Sequence, residues 1–552
     1  MTTNKKKAKK TASTLFIKPP EVDTLLAHLQ KKLGVTENAD GSYQLDVNYI
    51  ISDVQDNEGR QYVDLVQKGG GVWGIALVGF TYVMEGLGIR FLRLAGTSAG
   101  AINTALLAAI GEKEEKKSEQ ILKLLANTDI YEFVDGHQIV RLFIDFMARS
   151  KNKKNLWPII KTGYSIILTL GILLLLTPFA HLNIWGLTVF YLTSLLIIIP
   201  FIIFAFGVLL YRRMGQAGLG INPGENFLIW LRRVLETNLQ DENISDNTSE
   251  DSENSLNTTK LLMKKVERCP ELKLVHNEYR GVGDLIGDIT IITADLVTKN
   301  KVELPKMRIL FQTSNPENGY HPFNDAAEMV RASMAIPLFF ESFYARNINK
   351  NKTDSFWQEY FKSSPPSECR FVDGGIMSNF PINIYLNPDI EEPRLPTIGI
   401  NLIEEESKGK KAVDINSNQW NLFKYFTNLF NASRHYYDKD FILKNELVSD
   451  CIADVPIRGI HWLEFGMDAY KKADLFMQGA KAAYLFFYGE EWSTEITKEK
   501  SVKENANEET RSKTTDKGQI EEVFRGFKWS TYKQKRMTVV KDITIVSDQN
   551  SK

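Results

Sequence analysis

Cysteine is scarce in this chain of 552 residues, and neither sign of charge is in excess. Its three cysteines, Cys269, Cys369 and Cys451, lie far apart and form no Cys-x-x-Cys pair, so we expect no disulfide framework or zinc site and infer a reducing compartment. The formal net charge of −1 lacks the basic surplus that binding to nucleic-acid phosphates requires. No apolar segment follows the basic N-terminus, which argues against a secretory signal.

Charged residues are also absent between Thr162 and Tyr211, a stretch longer than the roughly 20 apolar residues that cross a bilayer once. Pro178 and Asn183 interrupt it, because both residue types favour turns. We therefore predict a transmembrane hairpin with spans at about Thr162–Ala180 and Ile184–Tyr211. Lysine and arginine flank both ends, which places the catalytic part of the chain in the cytoplasm. Two buried helices, or a hairpin that enters one leaflet, stay open as alternatives.

The remaining chain has the pattern of a mixed α/β protein. We predict a polar and partly helical extension over residues 1–60, one α/β domain over 61–490 and a polar tail over 491–552. The hairpin interrupts the domain, and so does Thr237–Lys260, whose polar composition predicts a disordered acidic loop. The final segment, Phe524–Ile545, has some β-character.

Short apolar runs alternate with helical patterns through the predicted domain, and this alternation favours an α/β sheet. The predicted strands are Tyr62–Val66, Phe91–Ala95, Ile289–Ile292, Arg308–Gln312, Thr397–Leu402 and Cys451–Pro456. The predicted helices are Val22–Leu33, Ala101–Ala109, Asp325–Met334, Asn421–Tyr437 and Ala469–Phe487.

A glycine-rich turn follows the first strand of the domain. Its sequence is Gly69-Gly70-Gly71-Val72-Trp73-Gly74, and it opens a helix. Unpaired backbone N–H groups and the helix dipole make such a turn an anion site. It lacks the spacing of a dinucleotide fingerprint and the Lys-Ser/Thr pair of a P-loop. Taken by itself, the pattern also fits an ordinary structural turn.

The second strand runs into Gly96-Thr97-Ser98-Ala99-Gly100, which precedes a helix of small residues. Strand, Gly-x-Ser-x-Gly and helix in this order predict a nucleophile elbow with Ser98 as the nucleophile. The amide of Ala99 and the Gly69–Val72 loop could then donate hydrogen bonds to an oxyanion. A serine that only caps a helix is the alternative.

A serine nucleophile needs a base, and two kinds of residue could supply it. Asp373 ends an apolar strand and precedes Gly374 and Gly375, although an Asp-Gly pair also fits an ordinary turn. No histidine lies in a distinctive motif, so the residues by themselves leave the base open among Asp373 and the seven histidines, His28, His137, His181, His276, His321, His435 and His461.

Three motifs, in this order along the chain, resemble the patatin-like phospholipases: Gly69-Gly70-Gly71-x-x-Gly74, Gly96-Thr97-Ser98-Ala99-Gly100 and Asp373-Gly374-Gly375. The segments Thr293–Leu296 and Arg331–Pro337 also look like that family, and the similarity spans about Tyr62 to Phe487. The resemblance implies a three-layer α/β/α fold with a Ser98–Asp373 dyad and no histidine. It implies an oxyanion hole of Gly70, Gly71 and Ala99, and neither a metal nor a cofactor.

Trp73 departs from this resemblance, because the family usually has arginine or lysine at that position. We expect either reduced activity or an apolar role for Trp73 against an acyl chain or the membrane. The leading hypothesis is a membrane-anchored acyl hydrolase whose partners are the bilayer and its lipids. A thioesterase or carboxylesterase with the same dyad, and a non-catalytic membrane scaffold, are the alternatives.

Overall fold

The structure, a computed structural model, describes residues 18–46, 49–136, 218–239, 257–275, 281–314, 321–386, 390, 392–405, 438–492 and 526–538, with isolated positions between 165 and 212. The chain forms two compact units. The larger comprises Met1–Phe133, Glu225–Ala335 and Phe343–Lys552, and the smaller comprises Val134–Gly224 and Ile336–Ser342. The domain boundaries predicted at residues 60 and 490 thus fall inside the larger unit.

Fourteen strands are present among the described residues: β1 Val35–Glu37, β2 Tyr43–Leu45, β3 Val54–Gln55, β4 Gln61–Gln67, β5 Ile89–Thr97, β6 Gly220–Asn222, β7 Lys273–Leu274, β8 Asp288–Asp295, β9 Asn300–Leu304, β10 Leu338–Phe340, β11 Phe343–Arg346, β12 Glu368–Asp373, β13 Thr397–Glu404 and β14 Ile452–Ile457.

The α-helices within the same ranges include α1 Pro20–Leu33, α2 Gly74–Gly86, α3 Ala99–Ala109, α4 Ser118–Asn127, α5 Glu225–Leu239, α6 Thr258–Glu267, α7 Ala326–Ser333, α8 Lys350–Phe361, α9 Glu446–Ser449 and α10 Ala469–Tyr488. Short 3₁₀ helices lie at Gly71–Trp73, Ile130–Phe133, Lys306–Phe311, Gly374–Ile376 and Ile382–Ile384.

A mixed sheet of ten strands organises the larger unit, with β11-β12-β8-β5-β4-β13-β14 as its main order. The five strands from β8 to β14 in this order run parallel, whereas β11 and β12 run antiparallel to their neighbours. All seven residues of β4 are buried, as expected for a strand inside a parallel sheet that is covered on both faces. The predicted mixed α/β class is confirmed.

Helices of the larger unit pack on this sheet and on one another. α10 packs against α2, β14 and α1, so the N-terminal helix belongs to the same packed body. The predicted helices Val22–Leu33 and Ala469–Phe487 match α1 and α10 within two residues at each end. Both have apolar residues at helical spacing, which is the strongest local signal for a helix.

Two predictions on elements within the domain differ from the structure. Arg308–Gln312 is not a strand, because Arg308–Phe311 belongs to the 3₁₀ helix Lys306–Phe311. Periodicity does not separate strand from helix in so short an apolar run. Thr237–Lys260 is not a loop throughout, because α5 extends to Leu239 and α6 begins at Thr258. Residues 240–256 lie outside the described residues.

The C-terminal segment also differs from its predicted β-character. Residues 529–538 form a helix, which we call the C-terminal helix, and its buried positions are Trp529, Tyr532 and Arg536. These positions follow the helical period along one face. Lys533 of this helix forms an ion pair of 2.6 Å with Asp53. Part of the predicted polar tail is therefore packed against the body of the larger unit.

In the smaller unit, β6 and β10 form a parallel pair. The side chain of Asn222 joins this pair to a preceding turn, because it accepts from the Gly136 amide at 2.9 Å and donates to the Phe339 carbonyl at 2.9 Å.

The predicted hairpin at 162–211 lies outside the described residues apart from positions 165, 166, 169, 205, 207 and 208. The predicted helix Asn421–Tyr437 lies wholly outside them. Among the residues that are described, no helix combines the length and apolar character needed to cross a membrane.

Candidate active site

Ser98 lies at the tight turn between β5 and α3, as the Gly-x-Ser-x-Gly pattern predicts. Its backbone angles are φ 53° and ψ −117°, and the residue is 5% exposed. A positive φ in a residue with a Cβ atom costs on the order of 1–3 kcal/mol and persists only where the surroundings enforce it. The turn at Ser98 is therefore a strained position that the fold maintains.

The surroundings that enforce this turn include a serine from α7. The Ser98 amide donates to Ser333 Oγ at 2.9 Å, and the Ser333 hydroxyl donates to the Ile292 carbonyl at 2.6 Å. Ser333 thus connects the elbow to β8. The Ser98 amide is satisfied by this contact, whereas Ala99 is the first residue of α3 and its N–H has no acceptor within the helix.

Gly96 and Gly100 allow α3 to approach the neighbouring strand closely. A methyl group on Gly100 would lie 2.2 Å from the Gln67 carbonyl oxygen, and one on Gly96 would lie 2.4 Å from the Gly100 carbonyl oxygen. Because both contacts are with backbone atoms, no side chain could yield to make room. The two glycines of the motif therefore bring Ser98 next to the loop that follows β4.

The glycine loop lies directly beside the elbow. A methyl group on Gly69 would be 3.0 Å from Ser98 Cβ, and one on Gly74 would be 3.2 Å from Ala99 Cβ. Gly71 has φ +57°, and a methyl group there would lie 2.3 Å from the Trp462 carbonyl oxygen. The glycine loop and the elbow are thus in contact, as predicted, although some 25 residues separate them in the sequence.

Trp73 is a structural anchor of this loop. The residue is 7% exposed, and its indole N–H donates to the Ile460 carbonyl at 3.0 Å. The Val72 amide donates to the Trp462 carbonyl at 3.0 Å. Of the alternatives expected for Trp73, contact with the membrane is wrong, because the residue is buried against the segment that contains Ile460 and Trp462. Reduced activity and contact with an acyl chain stay predictions.

Asp373 ends β12, and the residue is 4% exposed. Its carboxylate accepts from the Gly375 amide at 2.7 Å, and its own amide donates to the Ala335 carbonyl at 2.8 Å. A methyl group on Gly374 would lie 2.2 Å from the Ile292 carbonyl oxygen and 3.0 Å from Thr97 Cγ2. The Asp-Gly-Gly turn therefore packs against the residue that precedes Ser98.

β8 lies between the strands that carry Ser98 and Asp373. Thr97 pairs with Ile292, and Asp373 pairs with the next residue, Thr293. With neighbouring strands about 4.8 Å apart, the two ends are separated by roughly 10 Å across β8. Ser98 and Asp373 thus lie at the same level of the sheet, one strand apart.

The profile of the patatin-like phospholipases matches residues 65–386, which is more than half of the chain and includes both Ser98 and Asp373. The chain belongs to the patatin-like phospholipase family. Members of this family are lipid acyl hydrolases.

Two further proteins are similar to this patatin-like chain. The uncharacterized protein YqhO of Bacillus subtilis (strain 168) is 25% identical over 426 residues, which cover 77% of this chain and 98% of YqhO. Among solved structures, VipD from Legionella pneumophila matches with 14% identity and a TM-score of 0.29 over 81% of this chain and 69% of VipD. The family assignment rests on the profile match.

Of the seven histidines in this patatin-like chain, three lie among the described residues. The partners of their Nδ1 atoms are the Tyr484 hydroxyl for His28, Thr313 for His321 and the Leu463 amide for His461. His137, His181, His276 and His435 lie outside the described residues.

Sequence reasoning missed three polar residues around the elbow and the glycine loop. Ser333 holds the Ser98 amide, and Asn379 forms two hydrogen bonds with Gly69. Asp438 accepts hydrogen bonds from Ser378, Asn379 and Phe380. Ser333 lies within Arg331–Pro337, which resembles the family, and Asn379 follows the Asp373-Gly374-Gly375 motif, but neither has an evident role in the sequence. Nothing in the sequence around Asp438 distinguishes it.

A separate cavity of about 670 Å³ lies in the larger unit, and none of the predicted site residues lines it. Its walls include Arg93, which pairs with Asp64, and Arg394, which forms two hydrogen bonds with Asp284. These ion pairs neutralise the positive charge of both arginines. The cavity is thus distinct from the elbow and its loop.

Proposed function

We propose that this protein is a membrane-anchored serine lipid acyl hydrolase of the phospholipase A type. In this proposal Ser98 is the nucleophile and Asp373 is the general base. The observation that carries it is the strained backbone at Ser98, φ 53° and ψ −117°, directly beside a glycine loop. Residues held in such strained backbone conformations cluster at active sites.

The proposed reaction has two steps. Asp373 takes the hydroxyl proton while Ser98 Oγ attacks the acyl carbonyl, and the collapse of the tetrahedral intermediate expels the alcohol, which takes up the proton. Water then attacks the acyl-enzyme and gives its proton to Asp373; the bond to Ser98 Oγ breaks, Oγ takes up that proton, and the fatty acid leaves. The burial of both side chains and their separation by the single strand β8 support this pairing.

The oxyanion hole is proposed to consist of the amides of Gly70, Gly71 and Ala99. The N–H of Ala99 points from the first turn of α3, where the helix dipole adds positive potential. The other two amides belong to the loop that lies against Ser98 Cβ. Donors fixed before the reaction stabilise the negative charge that develops on the carbonyl oxygen.

The proposed substrate is a membrane lipid, and the proposed anchor is the uncharged segment 162–211. A hairpin there would hold the catalytic unit at the cytoplasmic face, where headgroups and ester bonds are within reach. The three-layer arrangement of the sheet and its helices, which the family resemblance implies, is part of the same proposal.

The experiment that tests this proposal measures fatty-acid release from phospholipid vesicles, an acyl thioester and a soluble carboxyl ester. We expect the wild type to prefer the phospholipid and Ser98→Ala to lower its rate at least a thousandfold. Asp373→Asn should lower the rate to a similar degree. Ser118→Ala is the matched control, because Ser118 is also a buried serine in the larger unit but donates to Thr81.

Each alternative gives a different result in this experiment. Preference for the thioester or the soluble ester would favour the thioesterase or carboxylesterase. Failure of the wild type on all three substrates, with no labelling of Ser98 by a fluorophosphonate, would favour the non-catalytic scaffold. An undiminished rate in Asp373→Asn would return the role of base to a histidine.

A further inference from the structure

The turn Ser378–Phe380 contacts the three segments that make up the proposed site. The Ser378 carbonyl accepts from the hydroxyl of Thr97, the residue before Ser98, at 3.0 Å. The Ser378 amide donates to the carbonyl of Gly374, the residue after Asp373, at 2.9 Å. Asn379 contacts Gly69 at the start of the glycine loop. The position of this turn therefore affects the elbow, the aspartate and the loop together.

Asn379 forms hydrogen bonds with both backbone groups of Gly69, the N–H and the C=O. The Gly69 amide donates to the Asn379 carbonyl at 3.0 Å, and the Asn379 side-chain amide donates to the Gly69 carbonyl at 3.3 Å. That carbonyl and the Gly70 N–H belong to one planar trans peptide unit and point in opposite directions. Fixing the Gly69 carbonyl therefore also fixes the direction of the Gly70 N–H, the first proposed oxyanion donor.

Asp438 holds the turn itself with three hydrogen bonds. Its Oδ1 accepts from the Ser378 hydroxyl at 2.7 Å, and its Oδ2 accepts from the amides of Asn379 at 2.7 Å and Phe380 at 2.8 Å. The residue is 7% exposed. Burial raises the pKa of Asp438, and the three hydrogen bonds act in the opposite direction. Charge-assisted bonds of this length are about twice as strong as neutral ones.

We infer that Asp438 is a positioning residue for the oxyanion hole, acting through Asn379 and the Gly69–Gly70 peptide. It lies 60 residues after Ser378 in the chain and is not assigned to donate or accept a proton in the reaction. Three donors already occupy its two oxygens, which suits a fixed support rather than a reacting group. This inference rests on the proposed function, because it gives Asp438 a role in the same site.

The test substitution is Asp438→Asn, which keeps the shape of the side chain but removes its charge and one of its acceptor oxygens. At least one of the three donors then loses its partner or faces an NH₂ group. We expect kcat to fall about tenfold to a hundredfold, because small misplacements of catalytic groups cost rates of this order. KM should stay within about twofold, since the oxyanion forms only in the transition state.

Asp56→Asn is the matched control, because Asp56 is also buried and also holds a turn. Its Oδ1 accepts from the amides of Glu58 at 3.1 Å and Arg60 at 2.9 Å, and its Oδ2 accepts from the Tyr62 hydroxyl at 3.1 Å. A loss of stability alone should therefore appear in both variants. We expect the fall in kcat only in Asp438→Asn.

Two further variants test the route and guard against misfolding. Asn379→Ala removes the side chain that holds the Gly69 carbonyl, and its effect on kcat should not add to that of Asp438→Asn in the double variant. Ser378→Ala removes one of the three hydrogen bonds and keeps both backbone amides on Asp438, so it should fold and show a smaller fall in kcat. Full additivity, or equal kcat in Asp438→Asn and Asp56→Asn, would overturn the inference.

Hydrogen exchange separates this inference from the proposed function. In Asp438→Asn the amides of residues 68–71 should exchange faster than in the wild type, and in Asp56→Asn they should not. If the wild type hydrolyses no lipid ester, the proposed function fails, yet faster exchange at 68–71 still supports the positioning of the loop. Unchanged exchange there would contradict the inference whether or not the protein is active.

Discussion

At the scale of single residues, the site depends on backbone positions that tolerate no ordinary side chain. Gly71 combines φ +57° with a distance of 2.3 Å from its missing methyl position to the Trp462 carbonyl oxygen. That carbonyl also accepts the Val72 amide. A side chain at Gly71 would therefore push the glycine loop away from the segment that supports it.

Gly71→Ala should consequently lower the rate of ester hydrolysis at least a hundredfold, because the displaced loop carries two proposed oxyanion donors. Gly41→Ala is its control, since Gly41 has φ +81° and nothing within 4 Å of the missing methyl position. Both substitutions strain the backbone, by about 1–2 kcal/mol each. Steady-state kinetics and thermal unfolding of the two variants check this; an equal loss of activity in both would show that the close contact at Trp462 is unimportant.

At the scale of secondary-structure elements, the C-terminal helix at 529–538 extends the packed body well beyond α10. Trp529 is 1% exposed and stacks on Tyr532 at a centroid distance of 5.6 Å. Just before the helix, Phe527 stacks on Phe486 of α10 at 5.4 Å. These contacts bury apolar side chains in a segment whose surrounding sequence is mostly polar, so the composition does not indicate them.

Trp529→Ala should therefore lower the free energy of unfolding by about 3–5 kcal/mol, as expected for the loss of a fully buried aromatic side chain. Gln534→Ala in the same helix is the control, because position 534 is exposed and should change the stability by no more than about 0.5 kcal/mol. Urea denaturation followed by circular dichroism measures both. If Trp529→Ala lowers the free energy of unfolding as little as Gln534→Ala does, the helix does not contribute to the stability of the larger unit.

At the scale of the whole molecule, the proposed chemistry and the proposed anchor belong to different units. Ser98, Asp373 and Asp438 lie in the larger unit, and the uncharged segment 162–211 lies within the range of the smaller unit. The two roles should therefore be separable by deletion.

Deletion of residues 162–211 should move the protein from the membrane fraction to the soluble fraction and keep its hydrolysis of a soluble ester. The physical reason is the loss of an uncharged stretch long enough to span a bilayer twice. Deletion of the polar segment 240–256 serves as the control and should leave the fractionation unchanged. A protein that stays membrane-bound without 162–211 must be anchored elsewhere.

The sequence by itself determined the features that depend on neighbouring residues. The turn at Ser98 needs a strand, two glycines and a helix in direct succession, and all of these are contiguous between Ile89 and Ala109. The apolar runs of β4, β8 and β13 are likewise local, because a strand buried inside a parallel sheet is apolar along most of its length. Family resemblance added Asp373, which no local pattern distinguishes from an ordinary Asp-Gly turn.

The tertiary structure alone decided which remote residues support the site. Ser333 and Asp438 contact the elbow and the 378–380 turn across 235 and 60 residues of sequence, respectively. That Trp529, Tyr532 and Arg536 lie on one face of a helix is seen only from their burial in the folded structure. Such contacts depend on the order of strands in the sheet and on how helices pack over it, and hydrogen bonds between distant positions leave no periodic trace in the sequence.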